Sequence, residues 1–283
     1  MSHAKLAVDL VGIGAWGPGF NNWDELQSLL INENNKNKEN NKNKENIDAD
    51  FDWTTQTPKP EIIPANERRR APLPVRAAVD VSWQALQQSG LPSSEVACVF
   101  GSGLGDTEIT DYMCRVLTTP EKQLSPTKFH NSVHNAAAGY WTISTGCMKS
   151  ANSIAAYKNT VGLALLEGII QCQQHQEPVL ITLFDTPAHD AYRQIFNCEQ
   201  GFAAALLLMP GGTAEAPLAT LKINDESDLD TKIHFAQAPL EKLYRDNPSA
   251  KVLALLQYIT NKQAGELVFA LSARRQLNLA ISI

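Results

Sequence analysis

Cysteine is scarce and its spacing is uninformative. The chain has 5 in 283 residues, and none form the C-x-x-C pair of a zinc site or a thiol–disulfide couple. Cys98, Cys147 and Cys172 lie among apolar or small residues, as thiols do in a reducing cytoplasm. Positive charge is also thin. The net charge is −6, and the short run Arg68-Arg69-Arg70, beside Glu67, reads as a solvated segment rather than a phosphate site, so nucleic acid is not an expected partner. Long apolar runs are missing near the start. The stretch after Lys5 is interrupted by Asp9, too soon for a signal peptide or a membrane span, and a cytoplasmic location is expected. What remains is a globular composition, 43% hydrophobic and 19% charged, with ample length to bury a core. No linker-like composition divides it, so residues 1–283 read as a single domain.

Leu6–Ile13 has the β-formers of a buried strand and runs into Gly12-Ile13-Gly14-Ala15-Trp16-Gly17. This is formally the G-x-G-x-x-G dinucleotide fingerprint. Trp16 stands where a phosphate needs room, and Pro18-Gly19 follow at once, so a plain strand-to-loop turn is the preferred reading over a nucleotide site. Between about 32 and 50 lies a low-complexity tract in which NKNKEN occurs at Asn35–Asn40 and again at Asn41–Asn46. Its stretch Asn32–Asn46 lacks apolar side chains and cannot recover its ordering entropy by burial, so the tract is expected to be a disordered surface insertion. Prolines at 58, 60, 64, 72 and 74 keep the next segment extended until a helix begins near Val75, which Gly90 stops. Strands are expected at Val96–Phe100, Pro178–Phe184, Gly201–Met209, Ala219–Ile223 and Leu277–Ile283, and a helix at Ala250–Ile259. The glycines of Gly101–Gly105 read as a strand-to-helix turn. Alternating strands and helices predict an α/β layered domain.

The densest chemistry lies between Ser125 and Gly168. It holds His130, His134, Cys147 and Lys158, the small-residue block Asn135–Gly139, where backbones could approach closely, and the segment Thr160–Cys172, apolar on nearly every side and so expected in a core. The pieces SPTKFHNSVHNAAAGYWTI, GLALLEG, PVLITLFD and FAAALLL resemble a β-ketoacyl synthase of the thiolase-like superfamily. More closely they resemble the short ketosynthase-like chain-length factors of aryl polyene pathways. The resemblance covers Leu6 to about Met209 and weakens beyond.

That resemblance implies a thiolase-like layered fold, truncated relative to a full ketosynthase. A condensing member needs a cysteine thiolate and two histidines. Ser144-Thr145-Gly146-Cys147 looks like the family's nucleophile motif. The register set by Asn135–Gly139 instead puts Lys158 at the nucleophile position, and a lysine cannot form the thioester. His189 and His234 lack the surroundings of the family's histidines. The implied role is a catalytically silent subunit that pairs with an active ketosynthase, meets acyl carrier protein through that complex and shapes the acyl tunnel. Lys128, Phe129, His130 and His134 would face the partner and tunnel, with no cofactor and no metal. Two alternatives stand beside it. One is an independent acyltransferase with Cys147 as nucleophile and His130 or His134 as base. The other is a nicotinamide-dependent reductase using Gly12–Gly17. The i, i+4 spacing of the two histidines would suit a metal on a helix, though no third ligand is evident.

Overall fold

A computed structural model describes residues 6–39 (side chains as far as 31), 52–224 and 233–283. In chain order the elements are β1 (Ala7–Trp16), α1 (Trp23–Glu39), α2 (Ala65–Arg70), α3 (Leu73–Ser89), β2 (Ala97–Gly101) and α4 (Thr107–Leu117). There follow α5 (Pro126–His130), α6 (Ala136–Thr145), β3 (Ala151–Ile154), α7 (Thr160–His175), β4 (Val179–Asp185) and α8 (Arg193–Phe196). The last are β5 (Phe202–Pro210), β6 (Ala219–Asn224), α9 (Ala238–Asp246), α10 (Leu253–Thr260), β7 (Gly265–Ser272) and β8 (Arg275–Ser282). The strands form one 8-stranded sheet in the order β3-β2-β4-β5-β1-β6-β8-β7. β2 runs parallel to β3 and β4, and the other neighbours are antiparallel.

The central strands are mostly apolar because both faces are covered. On β5, Phe202, Ala204, Leu206 and Leu208 point into one core, while Ala203, Ala205 and Leu207 point into the other. The first core is closed by α1, α7 and α10, the second by α3 and α6. α7 lies in the interior as its composition requires. A Cβ at Gly168 would meet Ile181 of β4 at 2.4 Å, and one at Gly162 would meet the Ala270 carbonyl of β7 at 2.5 Å, so strands press on the helix from two sides.

The Gly12–Gly17 segment is neither a loop nor a phosphate cradle. β1 continues through Trp16, and Gly12 and Gly14 are where α3 lies against it: an added Cβ would meet the backbone oxygens of Ala85 and Val81 at 2.1 and 2.0 Å. β6 pairs with β1 only as far as Leu10. Beyond that, Gln88 Oε1 accepts from Ile13 N at 3.0 Å and Gln84 Oε1 from Ala15 N at 3.1 Å, so glutamines of α3 satisfy donors that the short β6 leaves over. The space a nucleotide would need is filled by a helix of the chain itself.

Three further boundaries differ from expectation. The proline-rich segment contains α2, in which Arg68–Arg70 form the last turn, and α3 starts at Leu73. Pro74 falls within the first turn of α3, where its missing N–H costs nothing. The polar tract begins inside α1, whose backbone stays helical to Glu39, so residues 32–39 are not an irregular insertion. The rest of that expectation, from 40 to 50, lies outside the described residues. Among the described residues no helix is long and apolar enough to cross a membrane.

Candidate functional site

Lys158 stands where β3 turns into α7. Tyr157 takes a left-handed conformation (φ 49), uncommon for an aromatic residue, and the short 3₁₀ turn Tyr157–Asn159 leads directly into the helix. Thr160 fixes the bend: its hydroxyl accepts from Ala156 N at 3.0 Å and donates to the Tyr157 carbonyl at 2.8 Å. A sharp strand-to-helix turn of this kind displays the side chain at its apex. Here that side chain is an exposed ammonium, 5.5 Å from the Tyr157 ring centroid. An amine acylated there would form an amide, which does not pass its acyl group on as a thioester does.

The loop after β2 is anchored by Asp185, which the sequence marks only as the end of a strand. It is fully buried and accepts from the Ser102 hydroxyl (2.9 Å), Leu104 N (2.8 Å), Gly103 N (3.1 Å) and the Ser249 hydroxyl (2.7 Å). Asn247 Nδ2 donates to its carbonyl at 3.0 Å and to that of Gln200 at 2.9 Å. Burial pushes the Asp185 carboxyl above its ordinary value, against the pull of these donors. The carboxylate thus ties the loop after β2 to the turn that leads into α10.

Cys147 belongs to a helix terminus. Gly146 ends α6 in the left-handed region (φ 68), and Cys147 N donates to the Thr142 carbonyl at 3.1 Å. The thiol is only 3% exposed and points to the Val96 carbonyl at 3.3 Å. The S-T-G-C string is therefore a capping sequence, and neither histidine is a hydrogen-bond partner of this thiol. Burial pushes the thiols of Cys98, Cys172 and Cys198 up to about 12, where thiolate is negligible at neutral pH.

The residues expected at an interface are brought to one side of the molecule, in different states. Lys128 Nζ sits over the Tyr112 ring at 4.1 Å, while Phe129 is 58% exposed. His130 ends α5 and packs edge-on to Tyr140, with ring centroids 6.4 Å apart. His134 lies beyond the helix and its Nε2 is 3.2 Å from the Ser102 carbonyl, which makes that nitrogen the donor. The two histidines therefore share no helix face, and among the described residues no group of three metal-ligating side chains forms.

The small-residue block is only half internal. Ala137 and Ala138 lie on the buried face of α6, but a Cβ at Gly139 would meet nothing within 4 Å. Ala136 and Gly139 instead line an open groove of about 580 Å³ with Pro64, His130, Val133 and Ile143. Ile143 is 81% exposed, and Met148, past the end of α6, is 94% exposed. Beside this apolar surface, β3 forms the edge of the sheet. Cys98 N bonds to the Ser150 carbonyl and Ser102 N to that of Ile154, so the even-numbered residues face β2 and Ser153 turns its N–H outward.

The family model for the β-ketoacyl synthase N-terminal domain matches residues 39–273. The chain belongs to the β-ketoacyl synthase family. The match continues past Met209, where resemblance faded, through β6, α9, α10 and β7. Solved structures similar to this family member include the complex of the ketosynthase ApeO with its chain length factor ApeC from Xenorhabdus doucetiae. There identity is 20%, the TM-score is 0.68, and the match covers 97% of this chain and 99% of the other. A second is the complex of a type II polyketide acyl-carrier protein with its ketosynthase, at 12% identity and TM-score 0.70, covering 98% and 99%. Against a β-ketoacyl synthase from Burkholderia phymatum, identity is 13%, the TM-score 0.58 and coverage 86% of this chain but 70% of that one. The thiolase-like α/β layered fold is thus shared, at a length below that of the Burkholderia synthase. Compared with curated protein sequences, the chain matches none.

Proposed function

We propose that this chain is a non-condensing chain-length factor: it pairs with an active ketosynthase and shapes its acyl tunnel during polyene- or polyketide-type acyl biosynthesis. Lys158 carries this reading. The elbow where β3 turns into α7 is closed by Thr160, and the residue it displays is an amine instead of a thiol. The exposed apolar groove and the open edge of β3 support it, because contiguous apolar surface beside an unpaired strand edge invites a protein partner. One of the similar structures above is a ketosynthase with its chain length factor, which agrees with that role. Acyl carrier protein would reach the subunit through the complex. Neither alternative gains support: Cys147 is a buried cap residue, and Gly12 and Gly14 are occupied by α3.

Co-expression with a ketosynthase of such a pathway tests the reading. A complex that survives purification and condenses malonyl units only when both subunits are present is expected; condensation by this chain alone would overturn it. A finer expectation concerns Phe129, which protrudes from α5. In Phe129→Ala the complex should assemble as before while its products lengthen or broaden, measured by mass spectrometry of carrier-bound chains. The opposite change, Ala136→Phe in the groove, should shorten them. An unchanged distribution in Phe129→Ala would remove this segment from the tunnel wall.

A further inference from the structure

A separate cavity of about 220 Å³ opens on the other side of the elbow, between α7, β7 and the start of α10. Its walls include Val161, Ala254, Leu267 and Phe269, and its charged side chains are Lys158 and Lys251; no Asp or Glu is among the described residues that line it. Lys251 Nζ donates to the Tyr244 carbonyl and lies 4.3 Å from the Tyr244 ring centroid. Burial first, and then the Lys158 charge, hold the Lys251 ammonium below its ordinary range. Asp246 and Glu241 act in the opposite direction and Arg245 in the same one. Those carboxylates have other partners: Asp246 takes both guanidinium contacts of Arg245, at 2.9 and 3.0 Å, and Glu241 accepts from Phe235 N at 2.8 Å. The N-cap of α7, Asn159, makes no side-chain cap hydrogen bond, so the positive end of a 16-residue helix adds to the same potential.

Among the described residues no acid stands between these two cations, which repel each other beside an apolar wall and gain from an intervening anion. We propose that this cavity binds a small carboxylate with a short apolar tail, the carboxylate between Lys158 and Lys251 and the tail against Val161, Leu267 and Phe269. The walls select the tail and the ammoniums select the head. An amine at the elbow thus exchanges a covalent acyl site for a reversible acid site. The inference stands on the cavity alone and does not depend on the pairing with a ketosynthase.

Titration of the full chain with hexanoate, followed by ligand-observed NMR and calorimetry, tests it, with hexanol, acetate and inorganic phosphate as the comparison probes. Hexanoate should bind at least about tenfold more tightly than each of the others, since each lacks the tail, the charge or both features in the right shape. Lys158→Gln should weaken hexanoate about tenfold, near the worth of one charge-assisted hydrogen bond, with an unchanged melting temperature because Lys158 is exposed. Lys158→Arg should retain binding. Equal binding of phosphate would reduce the site to a general anion patch, and equal binding of hexanol to a greasy hollow. Either result, absence of hexanoate binding, or an undiminished affinity in Lys158→Gln, overturns the proposal.

Discussion

Asp185→Ala should destabilise the molecule by about 4 kcal/mol, enough to leave many domains of this kind largely unfolded at physiological temperature. Four donors converge on this carboxylate from the β2–α4 loop and from Ser249, with no solvent reaching it. Truncation strands them, and each unsatisfied buried donor costs about 1–3 kcal/mol before any water enters the hole. Asp185→Asn should cost less than Ala, though still more than a surface change, because its amide nitrogen turns a donor towards donors. The pH dependence has a definite sign. A folded-state value raised above the ordinary 3.8 means that this residue's contribution is fully present below that pH and falls as pH rises through the raised value. Denaturant titrations across that range should show the decline in the parent chain and not in Asp185→Asn. A loss under about 1 kcal/mol in Asp185→Ala would show that the four contacts are not the anchor they resemble.

Ser153→Pro should abolish the complex with a ketosynthase while leaving the chain folded. Ser153 directs its N–H away from β2, so proline removes no internal ladder bond, and edge strands tolerate proline in that phase. A partner strand that adds to the edge would lose a hydrogen bond and meet the ring instead. Asn152→Pro is the control: Asn152 belongs to the set facing β2, so the same ring should break the sheet itself and lower the melting temperature. Co-purification together with circular dichroism separates these outcomes. A Ser153→Pro complex as stable as the parent would mean that pairing uses α5 and α6 without the strand edge.

Elements covered on both faces were legible from composition, since runs such as Val179–Phe184 and Phe202–Pro210 are almost wholly apolar. α3 was legible through its helical spacing and its αL stop at Gly90. β7 went unseen because it is half exposed and mixed in polarity, and α9, though amphipathic, spans only nine residues with Leu240 and Leu243 as its buried pair. β3 has only the sequence ANSI to announce it. The candidate site divides in the same way. Lys158 was singled out through register and stands at the β3–α7 turn, whereas Asp185 was missed because one acid after an apolar strand gives no hint that four donors meet there. G-x-G-x-x-G and S-T-G-C misdirect for a common reason: glycine serves close packing and helix capping as readily as ligand binding, and only tertiary contacts distinguish them. The outward face of Asn135–Gly139 was equally hidden, because small residues admit a neighbour without saying whether it lies in the same chain.

The most direct test of a silent subunit is to ask which chain becomes acylated. The purified complex with an active ketosynthase would be incubated with an acyl-carrier thioester but no malonyl extender, then resolved by intact-mass and peptide mass spectrometry. The acyl group should appear on the partner subunit alone, with this chain at its unmodified mass and neither Cys147 nor Lys158 labelled. An acyl group on Cys147 that forms and discharges at the rate of condensation would contradict the assignment and make this chain a condensing enzyme in its own right.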